Sequence, residues 1–175
     1  MHWMLLPLKR YAEFSGRSRR TEYWMFFLFQ MLLGVAFWVL LAIVGGGALM
    51  TGGDPTAMAA AGGAAMIIFA LYGLVSLALI IPAIAVTVRR LHDTNRTGWW
   101  VLAPIAGYVL MFIGGIMAAA SPDNPGVGGV LALIGGLAVL VLAVVLLVFM
   151  FLEGTRGPNN YGPDPKGEAL DKVFA

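Results

Sequence analysis

The sequence predicts an all-α integral membrane protein with four transmembrane helices and an N-terminal interfacial amphipathic helix. Hydrophobic residues make up 60% of the 175 residues and charged residues only 11%, whereas a soluble domain carries about 25% charged residues. Four apolar runs are each long enough for the roughly 20 helical residues that cross a bilayer core. We therefore expect lipid rather than water to surround most of the molecule.

The predicted spans contain no Asp, Glu, Lys, Arg or His. They cover residues 23–44, 64–88, 99–120 and 127–152. Helices are expected because lipid offers no partner to the polar groups of the backbone. We expect a single membrane domain over residues 1–175, in which the spans are joined to an interfacial or cytoplasmic segment (1–22), a cytoplasmic loop (89–98) and a cytoplasmic tail (153–175).

Residues 1–14 are predicted to form the interfacial helix. Met4, Leu8 and Tyr11 recur at helical spacing, and charged residues lie between them. A short amphipathic segment of this kind lies on a membrane surface rather than crossing it. Pro7 is compatible with a helix that starts near it.

The distribution of positive charge predicts the orientation of the chain. All 11 Lys and Arg residues lie in segments 1–22, 89–98 and 153–175, whereas the connections 45–63 and 121–126 contain none. Lys and Arg are enriched on the cytoplasmic side of membrane proteins. We therefore expect both termini in the cytoplasm. The basic residues flank apolar segments, as orientation signals do, so a nucleic-acid partner is not expected.

Aromatic pairs stand at the starts of the two spans that leave the cytoplasm. Tryptophan and tyrosine rings prefer the level of the lipid headgroups. The predicted membrane-interface anchors are Tyr23, Trp24, Trp99 and Trp100. Thr21 and Thr97 lie just ahead of them and are candidate N-caps.

Within the spans, prolines and small residues predict local features. Pro82 would release the backbone carbonyl of Ala78, and Pro104 that of Trp100. In the fourth span, small residues recur at a spacing of four, which predicts a close helix–helix contact. That stripe is Gly128, Ala132 and Gly136, and the third span offers the pairs Ala103/Gly107 and Gly114/Ala118.

Three motifs lie in the segments expected to be cytoplasmic. They read FSGRSRRTEYW at 14–24, RRLHDTNRTGWW at 89–100 and GPNNYGPDP at 157–165. In sequence, order and spacing these resemble the DUF805 family of bacterial inner-membrane proteins. The family pattern often has Gly at the position of Asn95, and Asn is the next best residue for a left-handed turn. The resemblance implies a bacterial inner-membrane location and implies no activity.

The arginines are candidates for binding anionic lipid headgroups or a protein partner. Seven of the eight basic residues in the first two motif-bearing segments are Arg, whose planar fork suits phosphate and carboxylate. Setting topology alone is the competing explanation. The candidate residues are Arg17, Arg20, Glu22, Arg89, Arg90, His92, Asp93 and Arg96. We expect the first two motifs to meet, with Glu22 or Asp93 accepting hydrogen bonds from an arginine of the other segment.

No residue is assigned a catalytic role, and neither a metal site nor a cofactor is expected. His92 and Asp93 are adjacent, and adjacent residues on a helix point away from each other, so they make a poor catalytic dyad. The Pro- and Gly-rich segment 157–165 predicts a structured turn. That turn would either cover the arginines or serve as a plain anchored tail.

Three functions remain open on the sequence alone. The first is a non-enzymatic membrane protein whose cytoplasmic Arg-rich surface engages anionic lipid, a protein partner or a second copy of the chain. The second is a small oligomeric transporter or channel, although the spans offer few polar residues besides Gln30, Ser76 and Thr87. The third is an enzyme that acts on lipid through His92 and Asp93.

Overall fold

A computed structural model describes residues 2–122, 124 and 126–167, and over these residues the protein is helical with no β-strand. The helices are α1 (His2–Lys9), α2 (Arg20–Met50), α3 (Pro55–Asp93), α4 (Ala103–Ala120) and α5 (Gly126–Phe151), with a 3₁₀ helix at Gly98–Leu102. The predicted all-α class is confirmed. Asp123 in the third connection and residues 168–175 of the predicted tail lie outside the described residues.

Four helical segments are long and apolar enough to cross a bilayer, with mean hydropathies from 2.1 to 3.2. In the most apolar 18-residue stretch of each segment, at most 11% of the residues are buried within the protein. Such exposure of leucine, isoleucine and valine is costly in water and favourable in lipid. The four-helix membrane prediction is therefore confirmed.

Helices α2 and α3 extend beyond the predicted spans, and most of the predicted connection 45–63 is helical. Helix α2 continues to Met50 and α3 begins at Pro55, so only four residues separate them. The Asp54 carboxylate accepts hydrogen bonds from the backbone N–H of Thr56 at 3.3 Å and from its hydroxyl. Because this cap starts α3 at Pro55, the alanines and glycines of residues 55–63 are helical, whereas Gly52 and Gly53 form the turn between the two helices.

The start of the third span also differs from the expectation. Residues Gly98–Leu102 form a 3₁₀ helix capped by Thr97, whose side chain accepts from the backbone N–H of Trp99. Pro104 lies in the first turn of α4 rather than in the middle of a helix. The carbonyl of Trp100 is not left without a donor, because it accepts from the backbone N–H of Ala103. Thr97 is thus a cap as predicted. Thr21 is not an N-cap, because α2 already begins at Arg20.

The chain divides into two compact units, residues 2–13 with 21–85 and residues 14–20 with 86–167. In the first unit, the ring of Phe37 stacks on Tyr72 at 4.1 Å and meets Phe69 edge-on at 5.0 Å. The Tyr11 hydroxyl donates to the carbonyl of Ala78 at 2.6 Å. The carbonyl that Pro82 deprives of its helical partner is therefore satisfied by the segment after α1.

In the second unit, α4 and α5 pack so closely that the backbone of one helix contacts the backbone of the other. A methyl group at Gly114 would collide with the backbone nitrogen of Ala132, and one at Gly128 would lie 2.5 Å from that of Ala118. The predicted small-residue contact is confirmed at these positions. Gly136 is not part of it, and Gly135 takes its place beside Met111.

Candidate functional site

Two arginines share the carboxylate of Asp93 in the second unit. Arg17 Nε donates to Oδ1 at 3.0 Å, and Arg90 Nη1 donates to Oδ2. All three residues are buried, with relative exposures of 6% for Arg17, 0% for Arg90 and 5% for Asp93. The prediction that the first two motifs meet through a carboxylate is confirmed. We call these three residues the arginine–aspartate cluster.

The last turn of α3 explains how Arg90 and Asp93 reach each other. Residues three apart lie on the same face of a helix, so the Arg90 guanidinium extends directly towards the Asp93 carboxylate. The helix then stops, because Asn95 adopts a left-handed φ of 57° and the N–H of Arg96 returns to the carbonyl of Leu91 at 2.9 Å. Asn95 therefore performs the turn for which glycine is the usual residue.

Residues 14–19 precede α2, have no regular secondary structure and contact this helix end, and we call them the strap. The N–H of Ser18 donates to the carbonyl of Arg89 at 3.1 Å. His92 Nδ1 lies 3.2 Å from the carbonyl of Gly16, which requires the proton to be on Nδ1. These contacts hold Arg17 beside Asp93.

The segment after α5 covers the cluster from another direction. The N–H of Thr155 donates to the carbonyl of Asp93 at 2.8 Å, and the Asn159 amide donates to that of His92 at 2.8 Å. The rings of Tyr161 and His92 stack at 3.9 Å, almost parallel at 5°. Of the two alternatives for the tail, the structure shows the one that covers the arginines.

Arg17 links all three segments through a single guanidinium. Besides Asp93, it donates to the carbonyl of Gly157 at 2.6 Å and to that of Thr155 at 2.5 Å. The covering turn is itself held by Asp164, whose carboxylate accepts from the N–H groups of Gly157 and Lys166 at 3.0 and 2.9 Å. Hydrogen bonds from these backbone groups lower the pKa of Asp164.

Arg20 and Arg90 bind carbonyls at the carboxyl end of α5. The final carbonyls of a helix lack partners and carry the negative end of its dipole, so cations stabilise them. Arg20 donates to the carbonyl of Phe151 at 3.1 Å and pairs with Glu153 at 3.0 Å. Arg90 donates to the carbonyls of Met150 at 3.4 Å and of Leu152. Arg19 Nε binds further along the chain, where it donates to the carbonyl of Pro165 at 2.9 Å.

Burial corrects the expectation of an Arg-rich surface for three of its members. Arg17, Arg89 and Arg90 have exposures of 6%, 0% and 0%, because Arg17 and Arg90 reach inward to Asp93 and to backbone carbonyls. The Arg20 side chain is 40% exposed, and Arg96 is half-buried with its guanidinium 4.1 Å from the ring centre of Phe149.

The other predicted site residues separate into the two units. Glu22 is buried in the first unit, where it lies 3.8 Å from Arg10. His92 is half-buried in the second unit, and burial lowers its pKa more than the hydrogen bond to Gly16 raises it. The imidazole has Nδ1–H as donor, and one of its faces is covered by Tyr161.

The aromatic residues predicted as anchors stand at helix starts. Tyr23 and Trp24 occupy the first turns of α2 and meet edge-on at 5.3 Å, while Trp99 and Trp100 belong to the 3₁₀ helix. Sequence reasoning missed the roles of Thr155 and Asn159, although it marked the motif that contains Asn159. The signal that could have found Asp164 is its place directly before Pro165, because Asp-Pro favours the start of a turn and an Asp side chain accepts from the N–H two residues on.

Comparison with known proteins confirms the resemblance seen in the motifs. The family model described as "Protein of unknown function (DUF805)" matches residues 11–163. Inner membrane protein YhaI of Escherichia coli (strain K12) is 34% identical over 166 residues, which are 95% of this chain and 97% of YhaI. Inner membrane protein YhaH of the same strain is 32% identical over 168 residues, or 96% of this chain and 99% of YhaH. No solved structure matches the chain.

The family model covers the three residues of the cluster and the carbonyls of Thr155 and Gly157 that Arg17 binds. The relatives align over nearly their full length, so the match extends well beyond the three motifs. The chain is a multi-pass membrane protein that belongs to the DUF805 family.

Proposed function

We propose that this is a non-enzymatic inner-membrane protein whose cytoplasmic ends bind anionic phospholipid headgroups, with the arginine–aspartate cluster as the scaffold that fixes those ends. The observation that carries the proposal is an excess of positive charge. Outside the spans, the described part of the second unit contains eight Lys and Arg residues and three acidic residues. Asp93, the buried one of these acids, is shared by two guanidinium groups.

Exposed cations surround this scaffold. Arg20 has a side chain that is 40% exposed, Arg156 and Lys166 are exposed, and Arg96 is half-buried. Each basic residue near an anionic membrane surface contributes about 1 kcal/mol of attraction. The buried arginines hold the ends of α3 and α5 and the strap together. They therefore keep the exposed basic residues in fixed positions.

The state of His92 and Asp93 supports a non-enzymatic role. Asp93 accepts from two arginines, and the imidazole of His92 donates from Nδ1 and stacks on Tyr161. A general base needs a free lone pair directed at a substrate within a pocket. Both side chains instead hold segments of the chain together.

Lipid selectivity can be measured by native mass spectrometry of delipidated protein in detergent with phosphatidylglycerol or phosphatidylcholine. We expect the wild-type protein to retain more phosphatidylglycerol than phosphatidylcholine. In the double variant Arg20→Gln/Arg156→Gln, the binding free energy of phosphatidylglycerol should weaken by about 2 kcal/mol, or roughly thirtyfold in affinity. Glu153→Gln is the opposite-sign control, because it removes a negative charge beside Arg20 and should strengthen binding. Equal retention of the two lipids, or a bound second copy lost in the Arg variants, would contradict the proposal.

The orientation is tested separately. Because the chain contains no cysteine, Asn160→Cys and Gly53→Cys each provide a single thiol, and both positions are exposed. In intact cells, a membrane-impermeant maleimide should label Gly53→Cys and spare Asn160→Cys. The reverse pattern would show that the cluster faces away from the cytoplasm.

A further inference from the structure

Two of the few polar residues in the spans come together in the first unit. Gln30 of α2 and Ser76 of α3, with Tyr72, line a cavity of about 130 Å³, and its other lining residues are Leu33, Val75 and Leu79. The lining residues of α3 recur at spacings of three and four, so they form one face of that helix. We propose that this cavity binds the neutral, oxygen-bearing head of a lipid-soluble molecule, of which a quinone is the chemical type.

Position places the cavity within the hydrocarbon region. Gln30 lies seven residues beyond Tyr23, and Ser76 lies twelve residues before Val88. At 1.5 Å per residue these distances are about 10 and 18 Å from the ends of the spans, inside a core of about 30 Å. A ligand that reaches this depth arrives through the lipid.

Polar groups at this depth need partners. The Gln30 amide carries two N–H donors and a carbonyl acceptor, and the two hydroxyls each donate and accept. Lipid hydrocarbon supplies no partner, so an acyl chain in the cavity would leave these groups unsatisfied. An occupant with oxygen acceptors satisfies them while its apolar part contacts the three aliphatic side chains.

Charge excludes the other membrane ligands. None of the six lining residues is Asp, Glu, Lys, Arg or His, so a phosphate headgroup would meet no cation and a metal ion no carboxylate. The cavity therefore differs in ligand class from the basic ends of the helices.

Size and rigidity favour a ring. An engineered protein cavity of about 150 Å³ holds benzene, and 130 Å³ is close to that volume. Tyr72 is positioned by its stacking on Phe37, which is 6% exposed, and its hydroxyl lies close to Gly34, at 3.6 Å from where a methyl group would stand. A pre-positioned hydroxyl loses little freedom on binding, which favours affinity.

Binding is tested with radiolabelled decylbenzoquinone and full-length protein in phosphatidylcholine nanodiscs, by scintillation proximity. We expect saturable binding with one site per chain, and no competition from decylbenzene, which has the same tail without carbonyls. Gln30→Leu should weaken affinity about three- to tenfold, the value of one hydrogen bond. Thr87→Val, which removes a polar group from α3 outside the cavity, should bind like wild type.

Competition by decylbenzene equal to that of unlabelled decylbenzoquinone, or unchanged affinity in Gln30→Leu, would overturn the proposal. A second measurement needs no variant. Hydrogen bonds from Gln30, Tyr72 or Ser76 should lower the infrared carbonyl stretch of the bound quinone relative to the same quinone in protein-free nanodiscs. An unshifted band would refute the site even if the variants fail to fold.

Discussion

Replacing Asp93 by Asn should be among the most destabilising conservative changes in the protein. The substitution keeps the shape of the side chain but leaves Arg17 and Arg90 buried without a counter-charge. Removing one partner of a buried ion pair costs about 3–5 kcal/mol. Arg17 keeps its bonds to the carbonyls of Gly157 and Thr155, so we expect about 3 kcal/mol, the lower end of that range.

Glu153→Gln provides a matched control for this prediction. Each acid lies 3.0 Å from an arginine nitrogen, but side-chain exposure is 2% and 7% in the Arg17–Asp93 pair and 40% and 62% in the Arg20–Glu153 pair. Exposed ion pairs contribute about 0.2–1 kcal/mol. The same acid-to-amide change should therefore cost several times less at Glu153.

The measurement is the free energy of unfolding from titration with sodium dodecyl sulfate in mixed micelles, followed by circular dichroism. Arg17→Gln should cost less in the Asp93→Asn background than in wild type, because it then removes an uncompensated charge. If Asp93→Asn and Glu153→Gln differ by less than about 1 kcal/mol, burial does not determine the strength of this pair, and the scaffold role of the cluster fails.

Three further outcomes are expected from the same unfolding assay. Gly114→Ala should lower the free energy of unfolding by about 1–3 kcal/mol, because the added methyl group forces α4 away from α5. Gly115→Ala should be neutral or stabilising, because a methyl group there meets nothing within 4 Å. Equal effects of the two substitutions would refute the close contact. Tyr11→Phe should cost about 1 kcal/mol, and much less when Pro82→Ala restores the helical donor to the same carbonyl. Burial lowers the pKa of His92 from 6.5, so protonation favours the unfolded state. The stability should therefore be complete above pH 6.5 and fall as the pH decreases below it. His92→Gln should reduce this dependence of stability on pH.

The sequence was sufficient for the membrane architecture because charge-free apolar runs leave the backbone few alternatives in lipid. It also predicted the contact between the first two motifs, since acids placed at a membrane edge need cations. It misjudged the connection 45–63, where the Asp54 cap and the alanines outweigh the low helix propensity of glycine. It placed Pro104 inside the third span, because hydropathy does not show that a 3₁₀ helix comes first and that α4 begins only at Ala103.

The sequence could not distinguish buried arginines from exposed ones. Hydropathy and spacing place Arg17, Arg20 and Arg90 alike beside apolar segments, yet Arg20 is exposed and the other two are buried. The difference depends on which acceptors the chain brings back from far away in sequence. Arg17 meets Asp93 and Gly157, which are 76 and 140 residues distant, and periodicity carries no information about contacts of that range.

The preference for arginine over lysine now has a physical explanation that does not require an external ligand. Arg17 uses three nitrogens for acceptors on two segments, and Arg90 likewise divides its donors between Asp93 and the end of α5. A lysine ammonium is a compact point charge without this planar fork, and it cannot hold acceptors that lie so far apart. Arginine enrichment in these motifs therefore reflects assembly of the helix ends, and evidence for lipid binding must come from the exposed Arg20 and Arg156. Conversely, Arg17→Lys should keep the charge and still destabilise the protein; if it unfolds like wild type, charge alone holds the cluster.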